Sequence, residues 1–129
     1  MRFRGLLAII CLLAAAGAAQ AYSAVNGFTV QPLAGGTFEV QSRGGLSAQN
    51  AWCAAGDYAI SVLGVNPSTA IWRMSEPPRP RGASIVFSLS PAGAASSTGM
   101  ATLGGNGASM VAAAARNLCM LTMTPGFRR

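Results

Sequence analysis

Few side chains in this chain are of the types that catalytic chemistry requires. The sequence contains no histidine, and its nine basic residues are all arginine. Without histidine, neither a Ser-His-Asp triad nor a Cys-His pair can form within one chain. Without lysine, Schiff-base chemistry and the attachment of pyridoxal phosphate are excluded as well. The remaining candidates for acid–base chemistry are three carboxylates.

The three carboxylates, Glu39, Asp57 and Glu76, are predicted to lie far apart. Glu39 falls on the outer face of a predicted strand, Asp57 on the polar face of a predicted helix, and Glu76 in a proline-rich loop. A glycosidase-type pair needs two carboxyl groups about 5 to 9.5 Å apart. We therefore expect three solvated acids, no catalytic, cofactor-binding or metal-binding residue, and no enzymatic activity. A second interpretation makes Asp57 the partner of an arginine across an interface.

The first 21 residues have the pattern of an export signal. Arg2 and Arg4 form a short basic start, residues 6–16 are an apolar run, and residues 19–21 (Ala-Gln-Ala) form a small-x-small cleavage site. The apolar run is shorter than the about 20 residues that span a bilayer. No later stretch is long and apolar enough, so no transmembrane segment is expected after cleavage. We predict a periplasmic or secreted protein that consists of residues 22–129.

Cysteine usage indicates one disulfide. Cys11 lies in the apolar run and leaves with the signal, so Cys53 and Cys119 remain. An even cysteine count in an exported chain favours a disulfide. The closed loop of roughly 67 residues would contribute roughly 4 kcal/mol in the chain-entropy account of disulfide stability. The alternative is a pair of buried free thiols.

The basic residues indicate one candidate binding surface. After signal removal the chain carries seven arginines and three acids, hence a net charge of +4. Arg73, Arg79 and Arg81 surround a proline-rich loop, residues 75–82. Guanidinium groups pair well with carboxylates and phosphates, so this cluster is the candidate contact for an anionic envelope component or a protein partner. The alternative is a solvated, extended loop, and no basic-aromatic motif indicates nucleic acid.

Local patterns predict an α+β domain over residues 22–129: a small, mostly antiparallel sheet, one main packed helix and a Cys53–Cys119 disulfide. Ser47 is the predicted N-cap of the helix and Gly64 its left-handed stop. Alternation of apolar and polar residues marks the strands. The predicted elements are a hairpin over 25–31 and 37–41, a helix over 48–63, strands over 69–74, 84–90, 99–103 and 108–112, a helical turn over 112–119, and a frayed tail over 125–129.

Helical periodicity sorts the residues of the predicted helix into two faces. Trp52 and Gly56 share the apolar face, whereas Asp57 falls on the polar face and is expected to face water. Gly56 predicts a close approach of this helix to the sheet. Trp52 and Trp72 are both expected to point inward, so we interpret them as core residues.

One segment resembles a known group of proteins. The run W-C-A-A-G-D-Y-A occupies residues 52–59, and a strand-like run over 86–91 and the late Cys119 follow it. These features are similar to those of small exported alphaproteobacterial proteins of unknown function, and the resemblance spans most of residues 22–129. It implies the signal, the helix and the cysteine pair, and it implies no catalytic residue.

These observations lead to two functional hypotheses. The first is an exported non-enzymatic binding or structural protein of the cell envelope, with Arg73, Arg79 and Arg81 as its contact. The alternative is an inhibitor or accessory subunit of a secreted or periplasmic enzyme, because such proteins are small, rigid and disulfide-bonded. Neither hypothesis requires a cofactor.

Overall fold

The computed structural model describes residues 20–101 and 107–123. These residues form one six-stranded antiparallel sheet and two α-helices, which confirms the predicted α+β class. In sheet order the strands are β1 (Tyr22–Ser23), β2 (Thr29–Pro32), β3 (Thr37–Val40), β5 (Ile85–Ser88), β4 (Ala70–Arg73) and β6 (Ser109–Val111). The helices are α1 (Ala48–Ser61) and α2 (Ala112–Met123). Nearly all of the predicted export signal and the whole predicted tail over 125–129 lie outside the described residues.

The amino-terminal hairpin is confirmed. Strands β2 and β3 pair with Val30 opposite Val40, and a short 3-10 turn over Ala34–Gly36 joins them. Gly35 supplies the positive φ of 77° that this turn adopts. Val30, Phe38 and Val40 are buried on one face of the sheet, as the alternation predicts. That face is one wall of the core.

Helix α1 begins where its predicted cap places it. The Ser47 hydroxyl accepts a hydrogen bond from the Asn50 amide at 3.1 Å, which satisfies one of the free N–H groups of the first turn. The helix ends at Ser61, slightly earlier than predicted, and Gly64 follows with a φ of 65°.

The core lies between α1 and one face of the sheet. Trp52 packs edge-on against Phe87 of β5, with ring centroids 4.8 Å apart. Tyr58 packs against Phe38 of β3 at a centroid distance of 4.9 Å. All four side chains are buried, so the prediction that Trp52 points inward is confirmed.

The face of strand β4 that packs against the core is not the predicted one. Its buried residues are Ile71 and Arg73, whereas Trp72 is only half-buried on the other face. The register explains the difference, because Arg73 lies opposite Phe87, a core residue of β5. Opposite residues in an antiparallel pair share a face of the sheet. The inward prediction for Trp72 is therefore wrong.

Helix α2 is longer than the helical turn predicted for that stretch. It begins with four alanines, which are strong helix formers. It packs closely on α1, since a Cβ at Gly56 would lie 2.5 Å from the Arg116 amide nitrogen and 2.8 Å from the Ala115 Cβ. Gly56 therefore permits contact with a second helix, and the predicted contact with the sheet is wrong. Neither of these two helices of the described residues is long and apolar enough to cross a bilayer.

Candidate functional site

The predicted disulfide is present and joins the two helices. Cys53 of α1 and Cys119 of α2 are bonded to each other across a sequence separation of 66 residues. Both residues are buried. The alternative of free thiols is therefore wrong, and neither sulfur offers a reactive thiol to a ligand.

Asp57 is buried, which corrects the prediction that it faces water. The residue is only 3% exposed. Its Oδ2 accepts hydrogen bonds from the Tyr22 hydroxyl at 2.9 Å and from the Val25 amide at 3.0 Å. Its Oδ1 accepts a hydrogen bond from the Ser61 hydroxyl at 3.1 Å and lies 3.7 Å from Nε of Arg116. Both carboxylate oxygens are thus committed within the protein.

This environment makes Asp57 part of the framework of the fold. A single-helix pattern could not show that α2 and the segment beginning with β1 cover the polar face of α1. Asp57 pairs with Arg116 of α2 in its own chain, and the interpretation of an arginine across an interface stays a prediction. Burial first, and the hydrogen bond to Asp57 second, raise the pKa of the Tyr22 phenol. At neutral pH the phenol therefore remains protonated and donates to the carboxylate.

Arg73 is a second buried charge, and its partners are of a different kind. It is 1% exposed at the end of β4. Its Nε donates to the Ser75 carbonyl at 2.8 Å, and its Nη1 donates to the Thr98 carbonyl at 3.1 Å. The Trp52 indole N–H shares that Thr98 carbonyl at 3.0 Å. Within the described part of the chain, no carboxylate oxygen lies within 4.0 Å of the Arg73 guanidinium.

The charge of Arg73 has no contacting counter-ion among the described residues, and the nearby Glu76 compensates it only in part. Burial is the main influence and lowers the pKa of Arg73, while Glu76 raises it and Arg79 lowers it. An arginine nevertheless stays protonated in a protein. The Glu76 carboxylate is engaged elsewhere, because it accepts hydrogen bonds from the amide and the hydroxyl of Ser96. Those bonds hold the pKa of Glu76 below its usual range.

Arg79 reaches into the same region from the proline-rich loop. Its Nη1 donates to the Ala83 carbonyl at 2.8 Å and to the Ser42 hydroxyl at 3.2 Å. Its Nη2 donates to the Leu46 carbonyl at 3.1 Å. Because these acceptors are neutral, they hold the side chain in position without cancelling its charge.

Arg73 and Arg79 both line a pocket of about 180 Å³. The other lining residues carry no charge: they are Leu46, Ala48, Pro77, Pro78, Ile85 and Gly99. Ala48 is the first residue of α1, so the pocket adjoins the positive end of a helix of 14 residues. The pocket therefore combines positive electrostatic potential with an apolar wall.

The structure thus brings two of the three predicted arginines to one pocket. Arg81 is exposed and is not among the lining residues. Sequence reasoning did not single out Leu46, Ala48 or Gly99. The predicted Ser47 cap was the one sequence signal for this part of the pocket, because it places the start of α1 and hence Ala48. The described residues contain no group of three or more His, Cys, Asp and Glu side chains that could hold a metal ion.

The chemistry of the pocket suits the binding of an anion. It presents two cationic side chains and no acidic or nucleophilic side chain. Its ligand must be inferred from this composition, because no family model, curated protein or solved structure matches the chain.

Proposed function

We propose that this protein is an exported, non-enzymatic binding protein of the cell envelope, and that the pocket lined by Arg73 and Arg79 (the Arg73–Arg79 pocket) holds an anionic group of its ligand. One observation carries the proposal. A guanidinium that is 1% exposed lines a cavity, and no carboxylate among the described residues pairs with it.

The energetic reason is the cost of a buried charge. Moving an ion out of water costs on the order of several kcal/mol, and a buried arginine ordinarily recovers this through a carboxylate. Arg73 has two neutral carbonyl acceptors, and the attraction to Glu76, which does not contact it, is opposed by the like charge of Arg79. An anion in the pocket would offset both the desolvation of Arg73 and the repulsion between the two arginines. Anion binding would therefore be favoured, because it would relieve unfavourable electrostatic energy that is present in the free protein.

The remaining chemistry of the chain supports a binding role. The sequence has no histidine or lysine to act as base or nucleophile. Asp57 is fully engaged by its hydrogen bonds and by Arg116, and Glu76 is engaged by Ser96. The export signal pattern and the disulfide support a location outside the cytoplasm, where such bonds persist.

The test compares two arginine substitutions that change the net charge by the same amount. Arg79→Gln removes a cation from the pocket, whereas Arg43→Gln removes an exposed cation that does not line it. We expect the unaltered protein to bind membranes and cell-wall sacculi from its own cells, and to lose binding as salt is added. Arg79→Gln should weaken this binding about tenfold, and Arg43→Gln should leave it within about twofold.

Two results would overturn the proposal. Equal losses in Arg79→Gln and Arg43→Gln would mean that overall charge, not the pocket, causes the binding. Unchanged binding after Arg73, Arg79 and Arg81 are all replaced by Ala would exclude these arginines as the contact. Recovery of a stoichiometric enzyme with the protein would instead support the alternative of an inhibitor or accessory subunit.

A further inference from the structure

We infer that the Arg73–Arg79 pocket accepts a free carboxylate carried on a small apolar residue, namely the C-terminal end of a peptide. This inference rests on the proposed function, and it names the chemical class of the ligand. Two features of the pocket support it: a cationic end and an apolar wall.

The cationic end includes a guanidinium nitrogen that still needs an acceptor. Arg73 commits Nε and Nη1 to carbonyl oxygens, and its Nη2 makes no hydrogen bond within the described residues. Every fully buried side-chain nitrogen or oxygen in that part of the chain has a partner. Nη2 is therefore not fully enclosed by the described residues, and Arg73 is one of the residues that line the cavity.

The first residue of α1, Ala48, lines the same cavity. The Ser47 hydroxyl accepts from the Asn50 amide, while the amides of Ala48 and Gln49 have no acceptor among the described residues. The first N–H groups of a helix are free donors and carry partial positive charge. A carboxylate has two acceptor oxygens, and the guanidinium and the helix start provide donors for both.

The apolar wall distinguishes a carboxylate from other anions. Leu46, Pro77, Pro78 and Ile85 present hydrocarbon to the cavity. A phosphate monoester or a sulfate carries acceptor oxygens on several sides, and burial of an oxygen against hydrocarbon is unfavourable. A peptide C-terminus carries both oxygens on one carbon and has an apolar side chain beside them. This arrangement matches a pocket that is cationic at one end and apolar elsewhere.

The pocket has room for a small residue. Its volume is about 180 Å³, which accommodates a carboxylate with a small side chain. Gly99 makes room for the Arg73 side chain beside the cavity, since a Cβ at that position would overlap Nη1 of Arg73 and contact Pro77.

The test uses two peptides that differ in one group. N-acetyl-Ala-Ala has a free carboxylate, and its C-terminal amide has nearly the same shape without the charge. Each is titrated into the disulfide-bonded protein, and the Kd is measured by calorimetry or by NMR shifts. We expect the acid to bind at least about tenfold more tightly than the amide. Arg79→Gln should abolish this preference, and Arg43→Gln should retain it.

A second variant tests the cavity without changing any charge. Ala48→Leu keeps a good helix former at the first position of α1 and places a larger side chain where the ligand would sit. We expect the affinity for N-acetyl-Ala-Ala to fall about tenfold, with little change in the midpoint of thermal unfolding. Unchanged affinity in Ala48→Leu would overturn the placement of the peptide in this pocket.

The outcomes separate this inference from the proposed function. If acid and amide bind equally, or if inorganic phosphate displaces the peptide and binds more tightly, the carboxylate assignment is wrong while an Arg79-dependent anion site stands. If phosphatidylglycerol vesicles bind in an Arg79-dependent way and the peptide does not, the anion belongs to a lipid. If Arg79→Gln has no effect on any of these probes, both the inference and the proposed function fail.

Discussion

The two buried charges of this protein differ in how they are compensated. Asp57 on α1 is 3% exposed and is met by three hydrogen-bond donors and the Arg116 guanidinium. Arg73 on β4 is 1% exposed and is met by two neutral carbonyls. Burial alone therefore does not distinguish a charge with a structural role from a charge that could bind a ligand. The hydrogen-bond and ion-pair partners of each charge make that distinction.

The difference has a physical basis. A buried ion with a full set of partners stabilises one arrangement of the chain, and the removal of either partner is costly. A buried ion without a contacting opposite charge retains part of an unfavourable desolvation energy, which a ligand of opposite charge can offset. The helix side of the molecule thus carries the framework, and the end of the sheet beside the start of α1 carries the candidate site.

The largest expected effect is on the framework charge. Asp57→Ala leaves the Tyr22 hydroxyl and the Val25 amide without their acceptor, so the free energy of unfolding should fall by about 3 kcal/mol. Urea unfolding of the disulfide-bonded protein measures this change in the free energy of unfolding. Asp57→Asn is the matched control, because its side-chain oxygen can still accept, and its loss should be smaller. A loss below about 1 kcal/mol in Asp57→Ala would contradict the structural assignment.

A smaller effect on stability is expected at the other charge. Arg73→Met replaces a buried cation by an apolar chain of similar length, and no acid is left unpaired. The Thr98 carbonyl keeps its hydrogen bond from Trp52. The free energy of unfolding should therefore change by about 1 kcal/mol or less, while binding to the envelope fraction is lost. A loss of stability as large as that of Asp57→Ala would remove the contrast between the two charges.

The smallest expected effect is a pH dependence that arises at Tyr22. The pKa of its phenol is raised in the folded protein, first by burial and then by the hydrogen bond to Asp57. The stabilisation of the folded state by the protonated Tyr22 phenol is therefore complete below the pKa of about 10 that tyrosine has in the unfolded chain. It is lost as the pH rises through the pKa of Tyr22 in the folded protein. Urea unfolding below and above pH about 10 should show this decline.

Tyr22→Phe is the control for this pH dependence. It should reduce the decline without removing it, because burial also raises the pKa of Tyr58. An identical decline in the variant would mean that Tyr22 does not titrate differently in the folded and unfolded states. The hydrogen bond to Asp57 would then contribute nothing to the compensation of that charge.

Some elements followed from local patterns. The hairpin, the start of α1 at Ser47 and the strand over Ile85–Ser88 were predictable, because caps and alternation depend on neighbours in the chain. The α+β class and the disulfide between Cys53 and Cys119 followed from the same patterns and from the cysteine count. Residue types also set the chemical limits of the chain, since a protein without histidine and lysine lacks two common catalytic side chains.

Packing between distant elements decided the rest. Periodicity indicates which residues share a face of a strand or helix, but it does not indicate which face another element will cover. Asp57 was predicted to be solvated and is covered by α2, and Arg73 is turned inward by its register with Phe87. The pocket has the same origin, because it needs Arg73, Arg79 and the start of α1 to meet in space. Partners far apart in the chain determine the energy of a buried charge, so only the folded arrangement separates Asp57 from Arg73.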